Sequence, residues 1–171
     1  MKKSPDGNWY WLEVSGLAPG TEYGFQYMID ETIRIPDPYA TKILDPWNDK
    51  YIDAATDPDL KTIPGWTGRR FLSQYFRIRP PPYVWKNTGF TPSAKDDLII
   101  YEMHVRDYVA AHDFKTIRDT LDYIKSLGVN AIELMPVNEF EGNSSWGYNP
   151  SMYFAVDKYY GPPATMTEGA D

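Results

Sequence analysis

The chain has no cysteine, which excludes disulfide staples and thiolate metal sites together. Its two histidines are too few to suggest a zinc centre, and no cofactor motif or metal-ligand spacing is present, so neither is expected. A long apolar run is also missing. Lys2 and Lys3 resemble the start of a secretion signal, but Ser4, Pro5, Asp6, Gly7 and Asn8 stand where its apolar stretch belongs. Neither secretion nor membrane contact is expected, and a cytoplasmic location is the reading. Basic clusters are scarce too: 17 Lys and Arg against 24 Asp and Glu leave a net charge of −7, unlike a nucleic-acid binder. Arg69, Arg70, Arg77 and Arg79, interleaved with Phe71, Tyr75 and Phe76, come closest, and read as solvated charges on a strand edge.

What the chain has in excess is aromatic rings, 16% of residues with 14 tyrosines and 6 tryptophans. Flat rings pack on the C–H faces of pyranoses and keep a polar edge, which suits carbohydrate contact, although β-sandwiches also use these residues freely.

Residues 8–14 alternate apolar and polar side chains, turn chemistry follows at Ser15, Gly16, Pro19 and Gly20, and residues 21–29 resume a strand pattern. Asp30 and Glu31 close that strand, residues 32–35 form a short third, and Pro36 and Pro38 end it. So few strands cannot make a stable sandwich alone. Residues 56–97 are rich in Pro, Gly and charge; Pro80, Pro81 and Pro82, then Lys95, Asp96 and Asp97, mark a boundary, while residues 71–78 remain able to pair as a strand.

Residues 98–105, LIIYEMHV, form an apolar run of strand length that reads as a buried strand. Asp113 is placed to cap a helix whose stripe is Phe114, Ile117, Leu121, Ile124 and Leu127, with Gly128 ending it. Residues 130–137 are a second apolar run, so the unit is βαβ with parallel strands. After Val137 comes a loop of about 24 residues carrying Trp146, Tyr148, Tyr153 and Phe154 beside Asn138, Asn143 and Asn149. Rings to stack and amides to read hydroxyls are the ingredients of a sugar subsite; a packed plug is the competing reading. Strand alternation puts Glu102 and His104 on one face of the first strand and Glu133 on a face of the second, where they would form a polar network inside a barrel.

The motifs YEMHVRDY, LGVNAIELMPV and WGYNPSMYFAVDKYYG, in this order, resemble those of the α-amylase superfamily, glycoside hydrolase family thirteen. The stretches NWYWLEVSGLAPGTEYGFQYMID and IRIPDPYATKILDPWNDKYI look like later strands of the immunoglobulin-like module that precedes many of its barrels. The resemblance implies a mixed architecture: the later part of a β-sandwich over residues 1–79, a linker over 80–97, and from residue 98 the opening βαβ of a (β/α)8 TIM barrel. Since such a barrel takes roughly 250 residues, it would be incomplete, and the tail from Pro162 lacks the apolar stripe of the helix that follows in the family.

The resemblance further implies an α-glucan substrate such as starch or glycogen and a retaining mechanism. Tyr148 would stack on the sugar at the cleavage subsite, Asn149 and Pro150 would shape the loop, Trp146 would wall the pocket, and Asn138 would join the substrate-binding set. The family's Asp, Glu and Asp catalytic acids have no match in the chain, so no catalytic residue is assigned and no turnover by this chain alone is expected. The alternatives are a non-catalytic glycan-binding or accessory module, or a fragment completed by another chain through an unpaired barrel edge.

Overall fold

Residues 1–61, 84–85 and 87–161 are described in the computed structural model, together with the backbone of residues 73–77. The expectations resting on Arg69, Arg70, Phe71, Arg79, the prolines at 80–82 and the tail from Pro162 lie outside the described residues, as do the side chains of Tyr75, Phe76 and Arg77.

The first half is built from short strands. β1 (Lys2–Lys3) pairs antiparallel with β2 (Tyr10–Trp11), and the lysine ammonium groups lie 5.1 Å from the Trp11 ring and 5.8 Å from the Tyr10 ring. The strand expected over residues 8–14 shrinks to these two residues, both of them exposed. The strand expected over 21–29 is broken at Gln26 into β3 (Glu22–Phe25) and β4 (Tyr27–Ile29), which join different sheets. β4 pairs with β5 (Ile33–Ile35) across a tight turn whose central residues, Asp30 and Glu31, both take positive φ (49° and 57°), the twist a hairpin demands. β3 pairs with β7 (Ser73–Arg77), which also pairs with β6 (Lys42–Leu44), giving an antiparallel order β3-β7-β6. All of β6 is buried; the Lys42 ammonium reaches Glu22 at 3.9 Å.

In the second half β8 (Ile100–Met103) and β9 (Ala131–Leu134) pair in parallel, Ile100 opposite Ala131 through Met103 opposite Leu134. Between them run α1 (Val105–Tyr108), α2 (Phe114–Asp119) and α3 (Leu121–Ser126). Asp113 caps α2, accepting from the Thr116 amide at 2.6 Å and its hydroxyl at 3.0 Å. The single helix expected from Asp113 to Gly128 is interrupted at Thr120, where ψ is 0° and the hydroxyl donates back to the Ile117 carbonyl at 2.7 Å. The interruption splits the apolar stripe. Ile117 and Ile124 join Met103, Val105, Phe140 and Tyr160 in the core, while Leu121 and Leu127 stay exposed. Gly128, at φ +86°, ends α3 as its sequence position suggested.

β8 is not the buried strand its composition suggests. Ile99 and Ile100 are each 55% exposed and only its last residue, Met103, is buried. A parallel strand is buried by covers on both faces; here the core gathers at the Met103 end alone. The long loop after Val137 is also more ordered than its sequence implies: β10 (Asn138–Phe140) and β11 (Pro150–Val156) form an antiparallel pair around residues 141–149. The register jumps from Asn138 opposite Val156 to Glu139 opposite Met152, a bulge that leaves Tyr153 and Phe154 both exposed. On the other side Met152 and Ala155 pack with Ala40 and Ile43, so the hairpin rests on β6.

This arrangement predicts unequal costs along α3. Ile124→Ala should cost about 2–5 kcal/mol in urea denaturation, and Leu127→Ala no more than about 0.5 kcal/mol. Equal losses would contradict the split stripe.

Candidate functional site

Residues 141–149 connect β10 to β11 as a loop held at several points. Gly147 carries φ +85°, and a Cβ there would sit 2.3 Å from the Pro136 carbonyl oxygen, so only glycine lets the loop fold back so closely. Its amide donates to the Ser145 hydroxyl at 2.9 Å, and that hydroxyl also engages the Asn149 side chain. From α1, the Arg106 guanidinium donates to the Ser144 hydroxyl at 3.2 Å and the Ser145 carbonyl at 3.3 Å. Asn143 donates to the Asn48 carbonyl at 2.8 Å, tying the loop to the first half of the chain. On this support Trp146 and Tyr148 stand out, each 65% exposed.

The remaining candidate residues separate. Asn149 is held within the loop by Ser145, and the Asn138 amide is spent on the Tyr153 carbonyl at 2.7 Å, so this donor closes the bulge instead of facing outward. Glu102 and Glu133 are register partners in the parallel pair, and both are exposed. His104 parts company with them. It lies past the end of β8, buried, with Nδ1 3.0 Å from Asp107 Oδ2 and Nε2 3.2 Å from the Tyr160 hydroxyl. Of the three residues expected to share a polar network, Glu102 and Glu133 are thus exposed on β8 and β9, and His104 is buried against Asp107 and Tyr160. Burial raises the Tyr160 hydroxyl above its ordinary range, and the Arg106 hydrogen bonds hold the Asp107 carboxylate below its own.

A charged cluster beneath the hairpin was not legible in the sequence. Lys158, fully buried in a 3₁₀ turn after β11, donates to Glu139 Oε1 of β10 and lies 3.3 Å from Asp49 Oδ1, a charge contact without hydrogen-bond geometry. Asp157 is buried beside it, accepting from the Tyr159 amide at 2.8 Å and the Phe140 amide at 3.3 Å. Burial pushes the Glu139 carboxyl up to about 8 despite the Lys158 charge, and its Oε2 has no partner. Asp49 and Asp157 are raised for the same reason. Burial works against the Lys158 charge, but Glu139 and Asp49 outweigh it and hold the ammonium above its ordinary range. Nothing in the periodicity marks these residues, since a charge beside aromatic residues reads as a surface position. Among the described residues no group of His, Asp and Glu could hold a metal ion, and no helix is long and apolar enough to cross a membrane.

No protein-family model matches the chain. It is 26% identical to the malto-oligosyltrehalose trehalohydrolase of Saccharolobus solfataricus over 93% of its own length and 24% of that protein. The enzyme of the same name from Mycobacterium tuberculosis is 30% identical over 100% of this chain and 25% of its own. Pullulanase A of Streptococcus pneumoniae is 30% identical over 94% of this chain and 15% of its own length. Among solved structures, a Salmonella typhimurium protein assigned as an alpha amylase superposes with a TM-score of 0.66 at 29% identity, covering 96% of this chain and 24% of that one. The Group B Streptococcus pullulanase SAP in complex with maltotetraose gives 0.52 at 27% identity, covering 75% and 18%. The chain thus spans about a quarter or less of the length of the curated relatives it matches.

The buried acids generate a pH dependence with a definite sign. Glu139 has a folded value of about 8, raised above its ordinary 4.5, so its contribution is complete below about pH 4.5 and is lost as pH rises through 8. Asp49 and Asp157 act in the same direction. Stability should fall between pH 5 and 8 with a slope of up to about 1.4 kcal/mol per pH unit from Glu139. Urea midpoints across this range should flatten in Glu139→Gln; an unchanged slope would assign the titration elsewhere.

Proposed function

The chain is homologous to enzymes of the α-amylase superfamily over a stretch equal to about a quarter of their length, and on that premise we propose that it forms one wall of an α-glucan site. The observation that carries this reading is Tyr148: its ring is exposed on a loop fixed by Gly147, Arg106 and Asn143. A ring held still loses little entropy when a sugar stacks on it. The negative face of a tyrosine also suits the positive charge that develops on a pyranose in glycoside cleavage. Trp146 widens the aromatic surface.

In this reading β8, the intervening helices and β9 are the opening βαβ of a (β/α)8 barrel, residues 1–79 belong to an immunoglobulin-like module, and residues 80–97 link the two. The loops after β8 and β9 then lie on the face where such barrels place their sites. The Arg106 contacts to Ser144 and Ser145, which join those two loops, support that placement. Retaining hydrolysis needs two carboxyl groups about 5–5.5 Å apart, and the family's acids have no counterpart in this chain. The whole protein would act on α-glucans such as starch or glycogen, and the 171-residue chain would bind without cleaving.

A second reading has its own observation. Ile99, Ile100, Ile132 and Leu134 are exposed on a two-stranded parallel pair, a surface that calls for further strands supplied by another chain. Light scattering separates the two readings: a cooperatively folded monomer removes the second.

Maltotetraose binding followed by calorimetry should weaken roughly five- to tenfold in Tyr148→Ala, the value of one aromatic stacking contact. Unchanged affinity would remove the subsite. A reducing-sugar assay on soluble starch should show no turnover; turnover abolished by Glu133→Gln or Glu102→Gln would place acid chemistry in this chain after all.

A further inference from the structure

We propose that Lys158 is a positioning residue whose ammonium couples residues 45–57 to the loop carrying Tyr148, so that the first half of the chain scaffolds the site. The inference rests on the glucan reading for its functional consequence, and on geometry for the coupling itself. Lys158 lies two residues past the end of β11, and Glu139 lies in β10, so the cation joins the two strands that frame residues 141–149. Its second contact, Asp49, belongs to the other half of the chain, and is itself pinned because its Oδ2 accepts from the Asp45 amide at 2.8 Å. One residue before it, the Asn48 carbonyl accepts from Asn143 in the loop. The same segment therefore grips the loop itself and the base of its hairpin.

Two further contacts run alongside. Ala40 and Ile43 pack with Met152 and Ala155, and the Tyr39 ring lies 5.1 Å from that of Phe154. Apolar packing of this kind tolerates sliding, whereas a buried ammonium has one position that serves both Glu139 and Asp49. Replacing such a cluster by apolar side chains often costs little stability, so what the charges supply is a unique register between the segments. Because Lys158 and Glu139 are already buried, further chain packed on the outside leaves their pairing intact.

Hydrogen exchange resolved by peptide, on the 171-residue chain, tests the coupling. Asp49→Asn keeps the Glu139–Lys158 pair and removes the charge on the far side; Lys158→Met removes the cation. In each, exchange should quicken about fivefold or more across residues 45–57 and 138–149 together, while residues 114–126 keep the wild-type rate. A maltotetraose titration of Asp49→Asn should show an affinity loss of similar size with Tyr148 intact. Faster exchange confined to 45–57 would overturn the proposal, as would equal acceleration of 114–126, which reports only general destabilisation. Should Lys158→Met fail to fold, Asp49→Asn decides alone. Coupled exchange in a wild-type chain that binds no maltotetraose would retire the glucan reading and leave the coupling standing.

Discussion

A single ammonium group holds together parts of this chain that are distant in sequence. Lys158 is buried away from the surface, and a charge in that position survives only where acids surround it. Glu139 supplies the hydrogen bond and Asp49 the second charge, from the two halves of the described chain. Burial raises the Glu139, Asp49 and Asp157 carboxyls above their ordinary values, against the lowering effect of the Lys158 charge. The hairpin of β10 and β11 thereby acquires a fixed place on β6, and the loop at its tip inherits that place.

The loop then depends on a steric condition at its other side. Gly147 approaches the Pro136 carbonyl too closely for any side chain, which presses residues 145–149 against the end of β9. Arg106 reaches the same stretch from the end of β8. Three supports of different physical kinds, a close backbone approach, a guanidinium fork and an amide to the Asn48 carbonyl, converge on one short segment. Their common effect is to leave Trp146 and Tyr148 outward with little freedom in the backbone that carries them.

How much of this the sequence showed depends on the range of the interaction concerned. Local signals were legible: the Asp113 cap, the stop at Gly128, the apolar runs that become β8 and β9, and the aromatic character of the loop all follow from neighbours within a few residues. The break at Thr120 was not, because a β-branched residue is tolerated in many helices and only its hydroxyl bond to Ile117 reveals the interruption. Nor was the strand pairing of residues 138–156, whose bulge disrupts the alternation on which a strand reading rests. Glu139 and Lys158 were invisible for a deeper reason. Composition treats an isolated charge as solvated, and what buries these two is a segment some hundred residues earlier, by way of Asp49. Asn138 shows the same limit in reverse: its residue type suits a hydroxyl reader, but its donor closes the bulge at Tyr153.

The contrast between the buried and exposed parts of the chain orders the remaining features. The contacts of His104 with Asp107 and Tyr160 give both of its ring nitrogens a partner and specify local geometry. The parallel pair is different. Its apolar side chains are the right composition for a sheet covered on both faces, yet Ile100 and Leu134 meet solvent, and Glu102 and Glu133, opposite one another in the register, are exposed. A two-stranded parallel sheet buries too little to stabilise itself. Its order here comes from one end, where Met103 enters the core with Val105, Ile117 and Ile124. That is also the end from which Arg106 reaches the aromatic loop, so the best-packed part of the pair is the part that supports Tyr148. The well-determined wall of the candidate site is therefore the one made of rings and backbone, and the carboxylates on the exposed face of the sheet contribute nothing to holding it.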